Sequence, residues 1–208
     1  MTGVECSMNR FRQALVACVL SCTALFAGAE DWQLVKDEAG IQVYLTTVPG
    51  SSYKAYRGIT TIKAPIERLR RLQEDVVASC RWIFQCQAQK MLKSVGAQSW
   101  VYSRFSPPWP VAPRDSVLQI TTSLAADGTL TRRIQALPEY LPVVDGWVRV
   151  SRVDGYWTLR PRADGLVEVL YQAHTEPGGS VPSWLANSFV VDAPFETLRA
   201  YRALAQEH

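Results

Sequence analysis

Between residues 99 and 175 apolar and polar side chains mostly alternate, and after Pro182 the apolar period lengthens to three or four. Val181, Trp184, Leu185, Phe189, Phe195, Leu198 and Tyr201 then share one broad face, which is the signature of an amphipathic helix rather than a strand. The β-rich segments before it are 41–47 and 53–63, paired as a hairpin across "VPGSS", then 99–105, 115–124, 130–137, 147–153, 156–161 and 166–175. "AADGT" at 125–129 and "RADG" at 162–165 supply turns. A consecutive antiparallel sheet of this length curls. A long terminal helix is a natural lid for the concave face, so the expected class is α+β: a curved antiparallel sheet closed by its C-terminal helix.

Two prolines shape that helix. Pro182 fits a first helical position, where its missing N–H leaves no acceptor unserved. Pro194 should kink the helix around residues 190–193 before it runs on to about Ala205. A second helical stretch opens at Ala64-Pro65, with Ile66, Leu69, Leu72 and Val76 spaced for one buried face, and is expected to reach about Lys93. Neither a repeat nor a second domain is visible in the 208 residues, 48% of them hydrophobic, which suits one domain with a sizeable core.

The first 29 residues read as an address. Met8-Asn9-Arg10-Phe11-Arg12 is a short basic start, Ala14 to Phe26 is mostly apolar, and Ala27-Gly28-Ala29 offers small residues to a signal peptidase. The apolar run is short for a membrane span. A cleaved signal peptide over 1–29 and a domain over 30–208 follow, with Met1 or Met8 as the start and a periplasmic or secreted destination in a bacterium. Lipoprotein anchoring through Cys18 or Cys22 is the minor alternative, weakened because Leu20 is bulky for the middle place of such a cleavage site.

Removing Arg10, Arg12 and Glu5 leaves 20 basic and 18 acidic side chains, a formal charge of +2 with no basic run. Nucleic-acid binding, which needs a basic stripe, is not expected. Cys80 and Cys86, in "CRWIFQC", are the cysteines that remain. An oxidising destination favours a disulfide between them; two inert thiols are the other reading. Residues six apart in a straight helix rise about 9 Å, beyond the roughly 7 Å that a bridge spans. A bridge therefore requires a break between Cys80 and Cys86.

Acid–base chemistry is sparse. The domain's histidines are His174 and the terminal His208, so a catalytic relay would rest on His174 with Glu176 two residues on. A histidine with an ordinary hydrogen bond at a strand end is the plainer reading. No phosphate-binding glycine loop, nucleophile elbow or metal-ligand spacing is present, so no cofactor and no metal are expected. Aromatics are plentiful instead: Trp100, Tyr102, Trp109, Trp147, Tyr156, Trp157, Tyr171 and Trp184 fit an apolar pocket better than a reaction centre.

Three phrases carry more than pattern. "PPWPVAPRDSV" (107–117), "DGWVRVSRVDGYWTLRP" (145–161) and "EPGGSVPSWLAN" (176–187) hold Pro-Trp-Pro, Arg114-Asp115, Gly146-x-Val148-Arg149 and Pro177-Gly178-Gly179-x-Val181-Pro182-Ser183-Trp184-Leu185-x-Asn187 in order. In that ordered set, over roughly residues 35–205, the chain resembles the START lipid-transfer domain, and within it most resembles the phosphatidylcholine-transfer branch. The resemblance implies a helix-grip fold (START/Bet v1-like) around a lipid-sized tunnel. It implies binding and transfer of a hydrophobic lipid, a phospholipid foremost, by a monomer that touches membranes transiently.

At the place where sterol carriers of the family hold a cavity arginine this chain has Ile120, and Gln172 and Ala173 stand where the phosphatidylcholine carrier has two tyrosines. Tyr102, Trp109 and Tyr171 are the candidate substitutes for a choline cage. Trp157, Trp184, Leu185 and Phe189 are further ligand contacts, the last three on the lid. Arg133 and Arg149 suit a phosphate where they face inward; pairing with Asp115 or Glu168 is the structural alternative. The terminal helix and the loop "PEYLPVVDG" (138–146), with Tyr140, Leu141 and Val143, are candidate gates. An enzyme of cyclase or hydratase type on the same scaffold is the functional alternative, and a chaperone or partner-binding module is a third reading.

Overall fold

A computed structural model describes residues 31–207. The expected leader, 1–29, with the Cys18 and Cys22 alternatives, lies outside the described residues, as does His208. In chain order the elements are β1 (Gln33–Glu38), β2 (Ile41–Thr46), β3 (Ala55–Ile62), α1 (Ile66–Glu74), a 3-10 turn (Ala78–Arg81), β4 (Cys86–Val95), β5 (Gln98–Phe105) and β6 (Arg114–Leu124). There follow β7 (Leu130–Ala136), β8 (Val148–Arg149), β9 (Arg152–Pro161), β10 (Val167–Glu176), α2 (Ser183–Phe189) and α3 (Asp192–Gln206). One sheet runs β1-β2-β3-β10-β9-β7-β6-β5-β4, antiparallel throughout, with the short β8 lying parallel to β6.

This is the expected helix-grip arrangement. Phe195, Leu198, Tyr201 and Ala205 recur every three or four residues along α3 and are buried with Ile41, Val43 and Ile62. Each large apolar side chain so buried contributes about 1.5–3 kcal/mol. Gly58 on β3 lets the helix approach: a Cβ there would stand 2.6 Å from Leu198 Cδ1 and 3.1 Å from Pro194 Cβ. The break between α2 and α3 falls at Val190–Val191, and Pro194 occupies the first turn of α3, where no helical acceptor waits for it. Gly178 and Gly179, both at positive φ, swing the chain from β10 into α2. A side chain on Gly178 would meet Arg149 O at 2.3 Å.

Two expectations need correction, and one strand lies outside them. The helix that begins beyond Pro65 stops at Glu74; after the 3-10 turn the chain is strand, not helix, to Val95. "CQAQKMLKSV" is rich in helix formers, and pairing with β5 overrides that preference. Bulges between Cys86/Ala88 and Met91/Lys93 break its alternation, and its position at the sheet edge leaves most of it exposed, so neither period is legible. At the opposite edge β1, also bulged and mostly exposed, escapes notice for the same reason. Finally, 147–153 and 156–161 are not two equal strands: β8 has two residues and β9 runs unbroken through Gly155, which admits Ala173 of β10 at close range.

Cys80 and Cys86 are joined, with Cα atoms 4.9 Å apart, across the turn from the 3-10 segment into β4. Closing so short a loop contributes about 2 kcal/mol on chain entropy alone.

Candidate ligand-binding cavity

Between the inner face of the sheet and the α2–α3 arm lies a cavity of about 340 Å³. Its floor is set by strand alternation. Arg114, Ser116, Leu118 and Ile120 of β6 point inward two residues apart, and Ile134 of β7, directly opposite Ile120, continues the row. Trp157 of β9 and Tyr171 of β10 are register partners, and their rings stack with centroids 4.1 Å apart. Trp82 meets Trp157 edge-on at 5.7 Å, an arrangement favoured by the ring quadrupoles.

The disulfide loop is the side wall. Trp82, Ile83, Phe84 and Gln85 all line the cavity, and the Phe84 N–H donates to Thr197 Oγ1 of α3 at 3.1 Å. The roof is a helical stripe: Ala186, Phe189, Val190 and Ala193 face inward at intervals of three and four. Trp184 sits two residues before Ala186, hence on the far side of α2, and is 72% exposed. The roof is pinned by polar contacts: Lys54 N–H donates to Asn187 Oδ1 at 3.0 Å, Asn187 Nδ2 to Ser52 O at 3.2 Å, and Tyr53 O–H to Val181 O at 3.0 Å. No residue of α2 is fully buried.

Of the ten residues expected to touch a ligand, Ile120, Trp157, Tyr171 and Phe189 line this cavity and six do not. Trp109 is 92% exposed, on the loop between β5 and β6. Trp184 is outward, and Leu185 is part-buried on α2 but outside the lining. Arg133 points away from the cavity, 3.8 Å from Asp154. Tyr102 and Arg149 serve one carboxylate instead of a ligand. The Asp115 carboxylate, 0% exposed, receives Arg149 Nε on Oδ1 at 2.8 Å, and on Oδ2 it receives Arg149 Nη2 at 3.0 Å and the Tyr102 hydroxyl at 2.9 Å. Burial alone would raise the Asp115 pKa; the hydrogen bonds from Arg149 and Tyr102 outweigh it and hold the group below its ordinary value. Arg149 also donates to the carbonyls of Pro138, Leu141 and Pro142, fastening the 137–147 loop.

The cavity's charged side chains are two arginines not assigned from sequence, Arg114 and Arg132. Both are buried, and burial lowers the pKa of each. Arg114 donates to Ala112 O and, at 3.5 Å, to Gly178 O. Arg132 was identifiable: Leu130 and Ile134 mark the inward face of β7, so Arg132 between them must point in and Arg133 out. His174 faces away from the lining, with Nε2 3.1 Å from Ser51 Oγ; burial lowers its pKa, which favours the neutral ring. Among the described residues the lining contains no Asp, Glu or His.

A family model described as "START domain" matches residues 20–208. An uncharacterised protein of Pseudomonas aeruginosa is 51% identical over 196 residues, covering 94% of this chain and 97% of its own. A crystal structure of the STAR-related lipid transfer protein from Xanthomonas axonopodis superposes with a TM-score of 0.80 at 43% identity, covering 85% of this chain and 99% of that one. Human StAR-related lipid transfer protein 5 shares the fold at 16% identity and a TM-score of 0.75, over 84% of this chain and 86% of that one.

Proposed function

The chain belongs to the START domain family, whose homologues bind or transfer lipids, and from that membership we propose that it carries a lipid, foremost a phospholipid, in the cavity beneath α2 and α3. The observation that carries this reading is the cavity itself: apolar side chains and stacked aromatics, roofed by the weakly buried helix α2.

A diacyl lipid has about 28 methylenes, and at about 0.8 kcal/mol each, sheltering them from water is worth on the order of 20 kcal/mol. The bilayer offers the same shelter, so exchange is near balance and what the protein needs is a gate. Entry beneath the roof requires it to lift. α2 is the candidate, hinged at Val190–Val191 and latched by Asn187.

Membrane contact falls to the exposed apolar side chains around one end of the sheet. Trp109 at 92%, Val143 at 77% and Trp184 at 72% exposure lie on three adjoining segments. Pro107 and Val111 of the first segment line the cavity, the second is fastened by Arg149, and the third is the roof. Tryptophan favours the membrane–water interface. Replacing both Trp109 and Trp184 by alanine should slow fluorescent-lipid transfer between vesicles by about tenfold, since partial insertion of a large apolar side chain is worth at least about 1.4 kcal/mol. Lipid affinity in solution and melting temperature should stay near wild type; an unchanged transfer rate would remove these residues from the docking surface.

The bonded Cys80–Cys86 pair supports an oxidising, exported setting, and we assign the protein to the periplasm as a monomeric carrier. The cyclase- or hydratase-like alternative requires an acid or base in the cavity, and the lining described above supports binding over chemistry. Native mass spectrometry of the exported protein, followed by lipid extraction, tests the reading directly. A stoichiometric lipid is expected, and a persistently empty protein would contradict it.

A further inference from the structure

We propose that the end of the cavity away from α2, built by Arg132, Trp82 and Gln73, is a receptor for the anionic oxygen group of the lipid, a phosphate or a carboxylate; the proposal rests on the lipid-cavity reading above. All three side chains line the cavity, and they are 6%, 6% and 7% exposed. Each has polar atoms with no hydrogen-bond partner: Arg132 Nε, Trp82 Nε1, and both Nε2 and Oε1 of Gln73. Buried polar groups are nearly always satisfied, so four orphaned atoms on three side chains of one cavity lining call for an explanation. Immediately beside them the rule is obeyed. Ser79 Oγ donates to Gln89 Oε1 at 2.5 Å and Gln89 Nε2 donates to Ser103 Oγ at 2.9 Å.

The charge makes the case sharper. A guanidinium does not shed its proton in a protein, so Arg132 cannot escape burial by becoming neutral. Three charged or titratable groups act on it. Glu74 is a surface carboxylate already taken by Arg70 at 2.8 Å, Arg70 itself opposes Arg132, and the Tyr201 hydroxyl gives its proton to Leu69 O at 2.6 Å. None ion-pairs with Arg132 among the described residues. Arg114 Nε also has no partner, but backbone carbonyls receive the rest of its guanidinium, Nη1 on Ala112 O and Nη2 on Gly178 O, and it stands at the other end of the floor. Arg132 pairs in register with Thr122, eight residues along β6 from Arg114, or about 26 Å at 3.3 Å per residue. Between them the floor is largely apolar, with Leu118, Ile120, Ile134 and Trp157.

Three kinds of N–H donor at one end of an apolar hollow match an oxyanion on an acyl chain. The arginine fork takes two oxygens, and the indole and amide N–H groups take what remains. Arg132, next to Arg133 in the β7 register, is thus the specificity element of the site.

Titration calorimetry of the delipidated protein with four probes tests this: dodecyl phosphate, dodecanoate, dodecanol and inorganic phosphate. At least one acidic amphiphile should bind about tenfold or more tighter than dodecanol, the scale of hydrogen bonds to a charged group. Arg132→Met should erase that preference while leaving dodecanol binding intact, and Trp82→Phe, which keeps a ring but removes the N–H, should reduce it several-fold. Melting curves confirm that each variant is folded; were Arg132→Met to misfold, Trp82→Phe carries the test. Dodecanol binding as tightly as the acids, or a preference that survives the substitutions, overturns the anion receptor and leaves the lipid carrier standing. Inorganic phosphate binding as tightly as dodecyl phosphate would overturn the assignment to an amphiphile. Failure of all four probes to bind would sink the carrier reading together with the receptor.

Discussion

Arg149→Met should lower stability by about 3–5 kcal/mol, because it strands a buried carboxylate whose partner has been removed. For a domain of this size that is a fall in melting temperature of about 6–20 °C. Asp115 is 0% exposed and would keep the Tyr102 hydroxyl alone. The same substitution releases the carbonyls of Pro138, Leu141 and Pro142, so the 137–147 loop loses its fastening. Tyr102→Phe is the graded control and should cost about 1.5–3 kcal/mol, the scale of one hydrogen bond to a charged acceptor. The pH dependence separates a charge effect from lost packing. In the wild type the depressed Asp115 pKa contributes stability above the ordinary carboxylate value of about 3.9, and that contribution is lost as pH falls through the lower folded value. In the variant the unpaired carboxylate has its pKa raised by burial, so the penalty is greatest at neutral pH and fades toward about pH 4. Thermal melts across this range should show the deficit shrinking on acidification. A deficit independent of pH would mean that Arg149 acts through its packed stem alone.

That residue shows where sequence reasoning reaches and where it stops. Arg149 sits in a phrase shared with the lipid-transfer fold, and the phrase located the fold correctly. A strand arginine, however, serves a phosphate or a carboxylate according to which face it occupies, and a two-residue strand such as β8 has no alternation from which to read the face. On β7 the face is readable, because Leu130 and Ile134 flank Arg132 at spacing two; Arg133, the residue expected to meet a phosphate, is one place off that face. Ile120, Trp157 and Tyr171 lie on long strands paired on both sides, and all three line the cavity. The lid was half legible. Its apolar stripe predicted a roof, but Trp184, the largest side chain, belongs to the outer face, since the inward row is fixed by Ala186 and Phe189. Edge strands β1 and β4 were illegible for a different reason: each carries bulges that destroy the period on which strand reading depends.

Filling the cavity should separate stability from function in opposite directions. Enclosed space in a core costs about 24 cal/mol per Å³, and because this cavity of about 340 Å³ is half open, only a few kcal/mol on that scale is open to a filling side chain. Ile120 and Ile134 are direct cross-strand partners on the floor, two residues from the Arg132 row and six from Arg114. Tryptophan at both positions puts two indoles into the space an acyl chain would take. The double variant Ile120→Trp/Ile134→Trp should bind lipid at least about 100-fold more weakly, the equivalent of about 2.7 kcal/mol, and should purify empty under conditions where the wild type retains lipid. Recovering 2–3 kcal/mol of the forgone packing should meanwhile raise the melting temperature of the ligand-free protein by about 4–12 °C. Overpacking strain works against that gain, so the single variants calibrate it: each should lose affinity in proportion to the volume it fills. A double variant that melts higher yet still carries a full complement of lipid would show that the ligand lies elsewhere, and the hollow under α2 would need another explanation.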